Sequence, residues 1–129
     1  MTLLLDTHVF FWCVRRGTSV PPHVEEALRD APRRFVSDVS AFEVSLKVGL
    51  GKFTGAAALR DNWSRALTRL PALPLPVTTE PALLAGALDW THRDPFDRLL
   101  AAQALTQELT LVTADPAFSD VPGLAVVRW

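Results

Sequence analysis

The stretch His92–Asp115, HRDPFDRLLAAQALTQELTLVTAD, reads as one helix followed by one strand, and its reading decides the fold. Asp94 before Pro95 is a helix start: an acidic N-cap, then a proline at the first helical position, where its missing N–H is not needed. From Phe96 the apolar residues recur at Leu99, Leu100, Ala104 and Leu105, three to four apart, which predicts a buried helix ending near Leu109. Ala101 and Ala102 leave room for a close-packed neighbour. Thr110–Thr113 is a short β-branched and apolar run, a strand that leads to Asp115. A helix of about thirteen residues travels roughly 20 Å at 1.5 Å per residue, and a strand returns at about 3.3 Å per residue. In a helix-then-strand unit of a parallel sheet the chain leaves one edge of the sheet and comes back to it. Asp97, in the first helical turn, and Asp115 can therefore meet there.

Working outward, Thr2–Leu5 is a continuous apolar run, as expected for a strand covered on both faces, and it delivers Asp6 at its end. A helix is predicted from about His8 to Arg15, stopping before Gly17. Pro21 and Pro22 then open a second helix that turns Val24, Ala27 and Leu28 inward. Phe35–Ser37 reads as a strand, followed by Ser40-Ala41-Phe42-Glu43, a serine three residues before a glutamate, which is a capping-box pattern. That helix runs through Leu46, Lys47 and Leu50, with Gly49 and Gly51 at its end. Arg60–Leu70 is predicted as one amphipathic helix, with Leu59, Trp63, Ala66, Leu67 and Leu70 on its apolar face for core or dimer contact. Leu73–Val77 reads as a proline-interrupted edge strand, Glu80–Leu88 as a helix and Leu124–Arg128 as a closing strand. Strands alternating with helices through short loops predict an α/β fold, a mostly parallel central sheet with helices on both faces, in a single domain over residues 1–129.

Composition narrows the function classes. The 49% hydrophobic content is high for 129 residues, so partner-covered apolar surface is expected. A lone cysteine, Cys13, excludes an internal disulfide, and the opening residues do not read as a signal peptide, so a cytoplasmic location is expected. The apolar run at Pro71–Val77 is broken by prolines, and nothing approaches the length that spans a bilayer. A net charge of −1 argues against nucleic-acid binding by bulk electrostatics. Eleven of the 13 basic residues are arginine, but the pairs Arg15–Arg16 and Arg33–Arg34 are ordinary solvated surface on this reading.

In open α/β sheets the binding site lies beyond the carboxyl ends of the strands. Asp6, Glu43 and Asp115 each follow a predicted strand, and Asp97 opens a helix at the same edge. Each acid alone has an ordinary explanation: a strand end, a capping box, a helix-dipole partner, a turn before Pro116. Together they are costly, since like charges about 4 Å apart repel by roughly 4 kcal/mol at an effective dielectric near 20. Either some are protonated or a divalent cation neutralises them. Helix starts beside Glu43 and Asp97 favour ionisation, and all-oxygen ligation suits Mg²⁺ or Mn²⁺. Neither Cys-x-x-Cys nor His-x-x-x-His spacing exists for zinc. A cation that lowers the pKa of a water and stabilises charge on phosphorus oxygens leads to phosphodiester hydrolysis, with Thr7, Ser40 and Thr113 as hydroxyls near the centre. Glycine-rich phosphate loops and a nucleophile elbow are absent from the sequence, and His92 lies close enough to touch substrate.

The segments LLLDTHVFFW, SAFEVSLKVGLGK, HRDPFDRLLAAQAL and LVTADPAF together resemble the PIN-domain family and, within it, the VapC-like toxins of bacterial toxin-antitoxin pairs. The resemblance covers nearly the whole chain, with Thr54–Thr79 the least diagnostic part. It implies a Mg²⁺-dependent endoribonuclease that leaves a 5′-phosphate and a 3′-hydroxyl, works as a homodimer, and is held inactive by an antitoxin across its active site. The family's acidic site maps onto Asp6, Glu43, Asp97 and Asp115 as catalytic and metal-ligating residues, with direct ligation assigned foremost to Asp6 and Asp97. Asp94 is explained by its cap. Arg98, Lys47 and Lys52 are candidates for phosphate contact. The competing reading is a PIN-like scaffold that binds RNA or a protein without cutting; a small-molecule phosphatase is a third.

Overall fold

The computed structural model describes residues 1–15 and 20–129. The first helix, expected from about His8 to Arg15, ends at Val14 with Arg15 as its C-cap, before Gly17 as expected; Arg16 of the first arginine pair and Gly17 itself lie outside the described residues. In chain order the elements are β1 (Leu3–Leu5), α1 (Thr7–Val14), α2 (Pro22–Asp30), β2 (Arg34–Ser37), α3 (Asp38–Gly49), α4 (Ala57–Asp61), α5 (Trp63–Arg69), β3 (Leu73–Leu75), α6 (Thr79–Ala87), α7 (Pro95–Gln107), β4 (Thr110–Thr113) and β5 (Val126–Arg128), with a 3₁₀ turn at Pro116–Asp120 between the last two strands. The strands form one sheet in the order β3-β2-β1-β4-β5, and every pairing is parallel. This is an α/β fold with an all-parallel sheet.

β1 lies at the centre because its three leucines can be buried on both faces, and all three have 0% exposure. Leu3 and Leu5 point into a core built with Val9, Phe10 and Phe11 of α1, Val24 and Leu28 of α2, and Ala66 and Leu67 of α5. Leu4 points the other way, onto Leu100, Ala101 and Ala104 of α7, with Trp90 and Phe118. Each buried leucine contributes about 1.5–3 kcal/mol. The chain lays β2 and β3 on one side of β1, then crosses to lay β4 and β5 on the other. The carboxyl ends of β1 and β4, in register at Leu5 and Val112, therefore flank the point where strand order reverses.

The predicted 92–115 unit holds closely. Asp94 caps α7, its Oδ1 accepting from the Phe96 and Asp97 amides, and Pro95 is the first helical residue. The helix closes on Glu108 in the left-handed region, φ +54°, and β4 follows over the expected residues. The edge strand at Leu73–Leu75 and the closing strand also form, each somewhat shorter than expected.

Two expectations are corrected. Ser40 does not open a capping box: Ser37, the last residue of β2, caps α3 by accepting from the Val39 amide at 3.1 Å, so the strand passes into the helix without a loop. Ser40 is then inside the helix and buried, its hydroxyl 2.8 Å from that of Thr7. Arg60–Leu70 is not one helix. Asn62, at φ −127° and ψ 32°, separates α4 from α5, and its side-chain amide donates to the Ala58 carbonyl at 2.9 Å. Asparagine competes with the backbone for such carbonyls, and here it ends one helix just before another begins.

Candidate active site

Short steps out of β1 and β4 place two of the acids, and α3 and α7 carry the other two. Asp6 follows β1 directly and caps α1: its Oδ1 accepts from the Thr7 amide at 2.7 Å. Its Oδ2 accepts from the Thr113 hydroxyl, also at 2.7 Å, and that hydroxyl accepts from the Asp115 amide at 3.0 Å. One buried threonine at the end of β4 thus ties Asp6 to the backbone that presents Asp115. Asp115 in turn caps the following 3₁₀ turn through the Ala117 amide, 2.9 Å.

Glu43 sits in the second turn of α3, buried, and its Oε2 is 2.5 Å from the Lys47 ammonium one turn on. The expectation that a helix start ionises Glu43 is replaced by this ion pair. Asp97 Oδ2 is 2.6 Å from His92 Nε2. Asp6, Glu43, Asp97 and Asp115, the four acids read from the sequence, all line one open cleft of about 440 Å³, and Asp94 lines it too. His92, Asp94 and Asp97 bring ligand atoms within 4.8 Å of one another. Asp94 thereby enters the site despite its cap, because its Oδ1 alone makes the cap.

The charge of this cleft is poorly compensated. Five carboxylates face one lysine among its described lining residues. Burial pushes the Asp6 carboxyl above its ordinary value, against the lowering effect of the Thr113 and Thr7 hydrogen bonds. Burial likewise raises Asp97, to about 6, opposed by the His92 hydrogen bond and reinforced by Asp94 and Asp6. Burial lowers Lys47, but the bond and charge of Glu43 together with the charges of Asp94 and Asp97 outweigh it and hold the ammonium above its ordinary value. Buried and half-buried, mutually repelling carboxylates are the donor set that a hard divalent cation neutralises, so these residues fit such an ion.

Two basic groups turn out differently from expectation. Arg98 does not face substrate. Its guanidinium donates to the carbonyls of Ala85, Leu88, Trp90 and His92 at 2.7–2.9 Å, clamping the segment between α6 and α7. Lys52 is exposed and does not line the cleft, whereas Lys47 does. His92 meets a carboxylate of the site, and Trp90 packs against its ring at 4.8 Å. Nothing in the sequence announced the clamp, since all four acceptors are backbone carbonyls. The five-residue separation of His92 and Asp97 was visible but does not correspond to a helical spacing.

Comparison with known proteins gives the same frame. The family model described as PIN domain matches residues 3–124. No curated protein matches the chain in sequence. Among solved structures, VapBC2 from Rickettsia felis bound to a promoter DNA fragment is similar at a TM-score of 0.72 and 18% identity, covering 100% of this chain and 99% of that one. DNA-bound VapBC from Salmonella typhimurium is similar at 0.72 and 21%, covering 100% and 98%. VapBC-5 from Mycobacterium tuberculosis is similar at 0.61 and 24%, covering 98% and 96%. At these identities the structures speak to the fold. With the family model matching nearly the whole of this chain, and with acids that follow β1 and β4 and lie on α3 and α7 lining one cleft, the chain belongs to the PIN-domain family.

Proposed function

We propose that this protein is a Mg²⁺-dependent endoribonuclease, the toxin of a VapBC-type toxin-antitoxin pair. The observation that carries the reading is the convergence of Asp6, Glu43, Asp97 and Asp115 on one open, under-compensated cleft at the switch point of the sheet. Asp6 and Asp97 would hold the ion directly, with Glu43 and Asp115 completing its acidic surround; Mn²⁺ would substitute. When bound, such an ion lowers the pKa of an attacking water and stabilises charge on the phosphoryl oxygens.

The chain's own residues supply orientation. Thr7 and Thr113 fix the two oxygens of Asp6, so that carboxylate arrives in one rotamer. His92 holds the Oδ2 of Asp97. Glu43 and Lys47 place a carboxylate and an ammonium side by side, the pairing needed to position a water and to face a phosphate. Water adds to phosphorus, the bond to the 3′-oxygen breaks, and the products carry a 5′-phosphate and a 3′-hydroxyl.

An antitoxin and a second copy of the chain are the proposed protein partners. The support is the set of solved toxin-antitoxin complexes that share the fold, together with Phe42, Leu46 and Leu50, exposed at four-residue spacing along α3 and its C-cap. No helix among the described residues is long and apolar enough to cross a membrane. Mapping the ends of cleaved RNA tests the chemistry. Attack by water leaves fragments that a 5′-phosphate-dependent exonuclease degrades. Fragments ending in 2′,3′-cyclic phosphate would mean that the ribose 2′-hydroxyl is the nucleophile and would overturn the role given to the carboxylates.

A further inference from the structure

The cleft has little with which to hold a chain of phosphates. Among its described lining residues five carboxylates outnumber one lysine, and that lysine is bonded to Glu43. Arg98, the arginine next to Asp97, is turned onto four backbone carbonyls. A divalent ion offsets part of this charge, but binding a longer RNA needs contacts that do not depend on cations.

The remaining wall of the cleft provides them. His8 and Trp12 both line it, and both lie on α1, the helix that starts directly after Asp6. Four residues apart, they share a helix face. The exposed His8 ring stacks on Phe53 with centroids 4.8 Å apart and planes 19° apart, and it lies 5.9 Å from the Trp12 ring. Trp12 in turn meets Trp129 edge-on at 5.8 Å. Phe53, His8, Trp12 and Trp129 therefore form a continuous aromatic ridge beside the acids. Rings braced by other rings lose little freedom when a further ring stacks on them. A polar, exposed histidine stacked at the rim of an acidic cleft is more than is needed to fill a core.

We propose that His8 and Trp12 form a stacking wall for the unpaired bases of single-stranded RNA, so that the cleft grips bases more than phosphates. The proposal rests on the RNA reading above. It selects unpaired RNA, because bases within a duplex have no free face to offer. It also gives binding an unusually shallow salt dependence: with Lys47 as the one lysine or arginine among the described lining residues, log K should fall with log salt with a slope of about −0.7, the value for one neutralised phosphate on a single strand.

The test is the affinity of a fluorescein-labelled adenosine decamer, read by anisotropy in Ca²⁺ instead of Mg²⁺ with the strand checked for integrity, beside an abasic ribose-phosphate decamer. His8→Ala and Trp12→Leu should each weaken the adenosine strand by about 5- to 150-fold, Trp12→Phe should keep most of the affinity, and the abasic strand should bind weakly and equally to all. Thermal melts of each variant confirm folding, and His8, being exposed, carries the test if Trp12→Leu unfolds. Unchanged affinity in His8→Ala, or an equal loss on both strands, overturns the wall. A wild-type protein that grips the adenosine decamer yet cuts no RNA sustains the wall and removes the nuclease reading. One that cuts RNA with His8→Ala unaltered in affinity removes only the wall.

Discussion

Asp97→Asn should stabilise the metal-free protein at pH 8 and abolish its response to Mg²⁺. Burial raises the Asp97 carboxyl from an ordinary 3.8 to about 6, which corresponds to about 3 kcal/mol against the folded state once the group is ionised. Solvent reaches 17% of the side chain, and screening brings the expected gain to about 1–3 kcal/mol. The sign follows from the direction of the shift. Below about pH 4 the carboxyl is protonated folded and unfolded, and the variant gains nothing. Between pH 4 and 6 the unfolded chain ionises more readily than the folded one, so wild-type stability falls; above about pH 6 the deficit is complete. Asparagine keeps the shape and an oxygen for His92 without the charge. For a domain of this size the gain is a rise of roughly 3–12 °C in Tm, measured by scanning calorimetry in EDTA at pH 5 and 8, and it should be larger at pH 8. In Mg²⁺ the gap should close or reverse, because a ligand at a hundredfold excess over its Kd stabilises wild type by about 2.7 kcal/mol and should not stabilise the variant. A variant less stable than wild type in EDTA at pH 8, or equal stabilisation of both by Mg²⁺, would refute the reasoning.

Three further substitutions probe the supports of the site. His92→Ala should weaken Mg²⁺ binding by about 10- to 100-fold through loss of the partner that orients Asp97, with His92→Gln recovering part of it; calorimetric titration reads both. Arg98→Ala should lower stability by roughly 3 kcal/mol, since four carbonyls lose a charged donor at once, and a urea melt should show the loss with or without Mg²⁺. Thr113→Val, which keeps the shape but removes the hydroxyl shared by Asp6 and Asp115, should cost about 1–3 kcal/mol and lower Mg²⁺ affinity; a variant matching wild type on both counts would show that the threonine is only filling space.

What the sequence displayed was whatever depends on local pattern. The apolar run at Leu3–Leu5, the Asp94-Pro95 start and the TLVT strand each carry their signal within a few residues, and a parallel sheet then brings the acids that follow them to one edge. The misses arise where two local signals compete or where partners are distant in sequence. Ser37 and Ser40 are both plausible caps, and the choice falls to Ser37 because β2 ends there and Ser40 is drawn inward against Thr7. Asn62 interrupts an otherwise good amphipathic pattern because its amide finds the Ala58 carbonyl, a preference too weak to outweigh periodicity on paper. Arg98 looked like a phosphate contact from its place beside Asp97, yet the fold surrounds it with carbonyls from Ala85 to His92. The link from Thr113 to Asp6 spans 107 positions and exists only because β1 and β4 are neighbours.

The measurement closest to the central claim is cleavage of total RNA by purified, antitoxin-free protein in Mg²⁺, in EDTA, and with Asp6→Asn as the control for contaminating nuclease. Metal-dependent hydrolysis at the carboxylate cleft predicts discrete fragments with wild-type protein in Mg²⁺ and none in the other two lanes. Cleavage that survives EDTA or Asp6→Asn, or intact RNA after incubation with folded wild-type protein across a range of Mg²⁺ and Mn²⁺ concentrations, would contradict it.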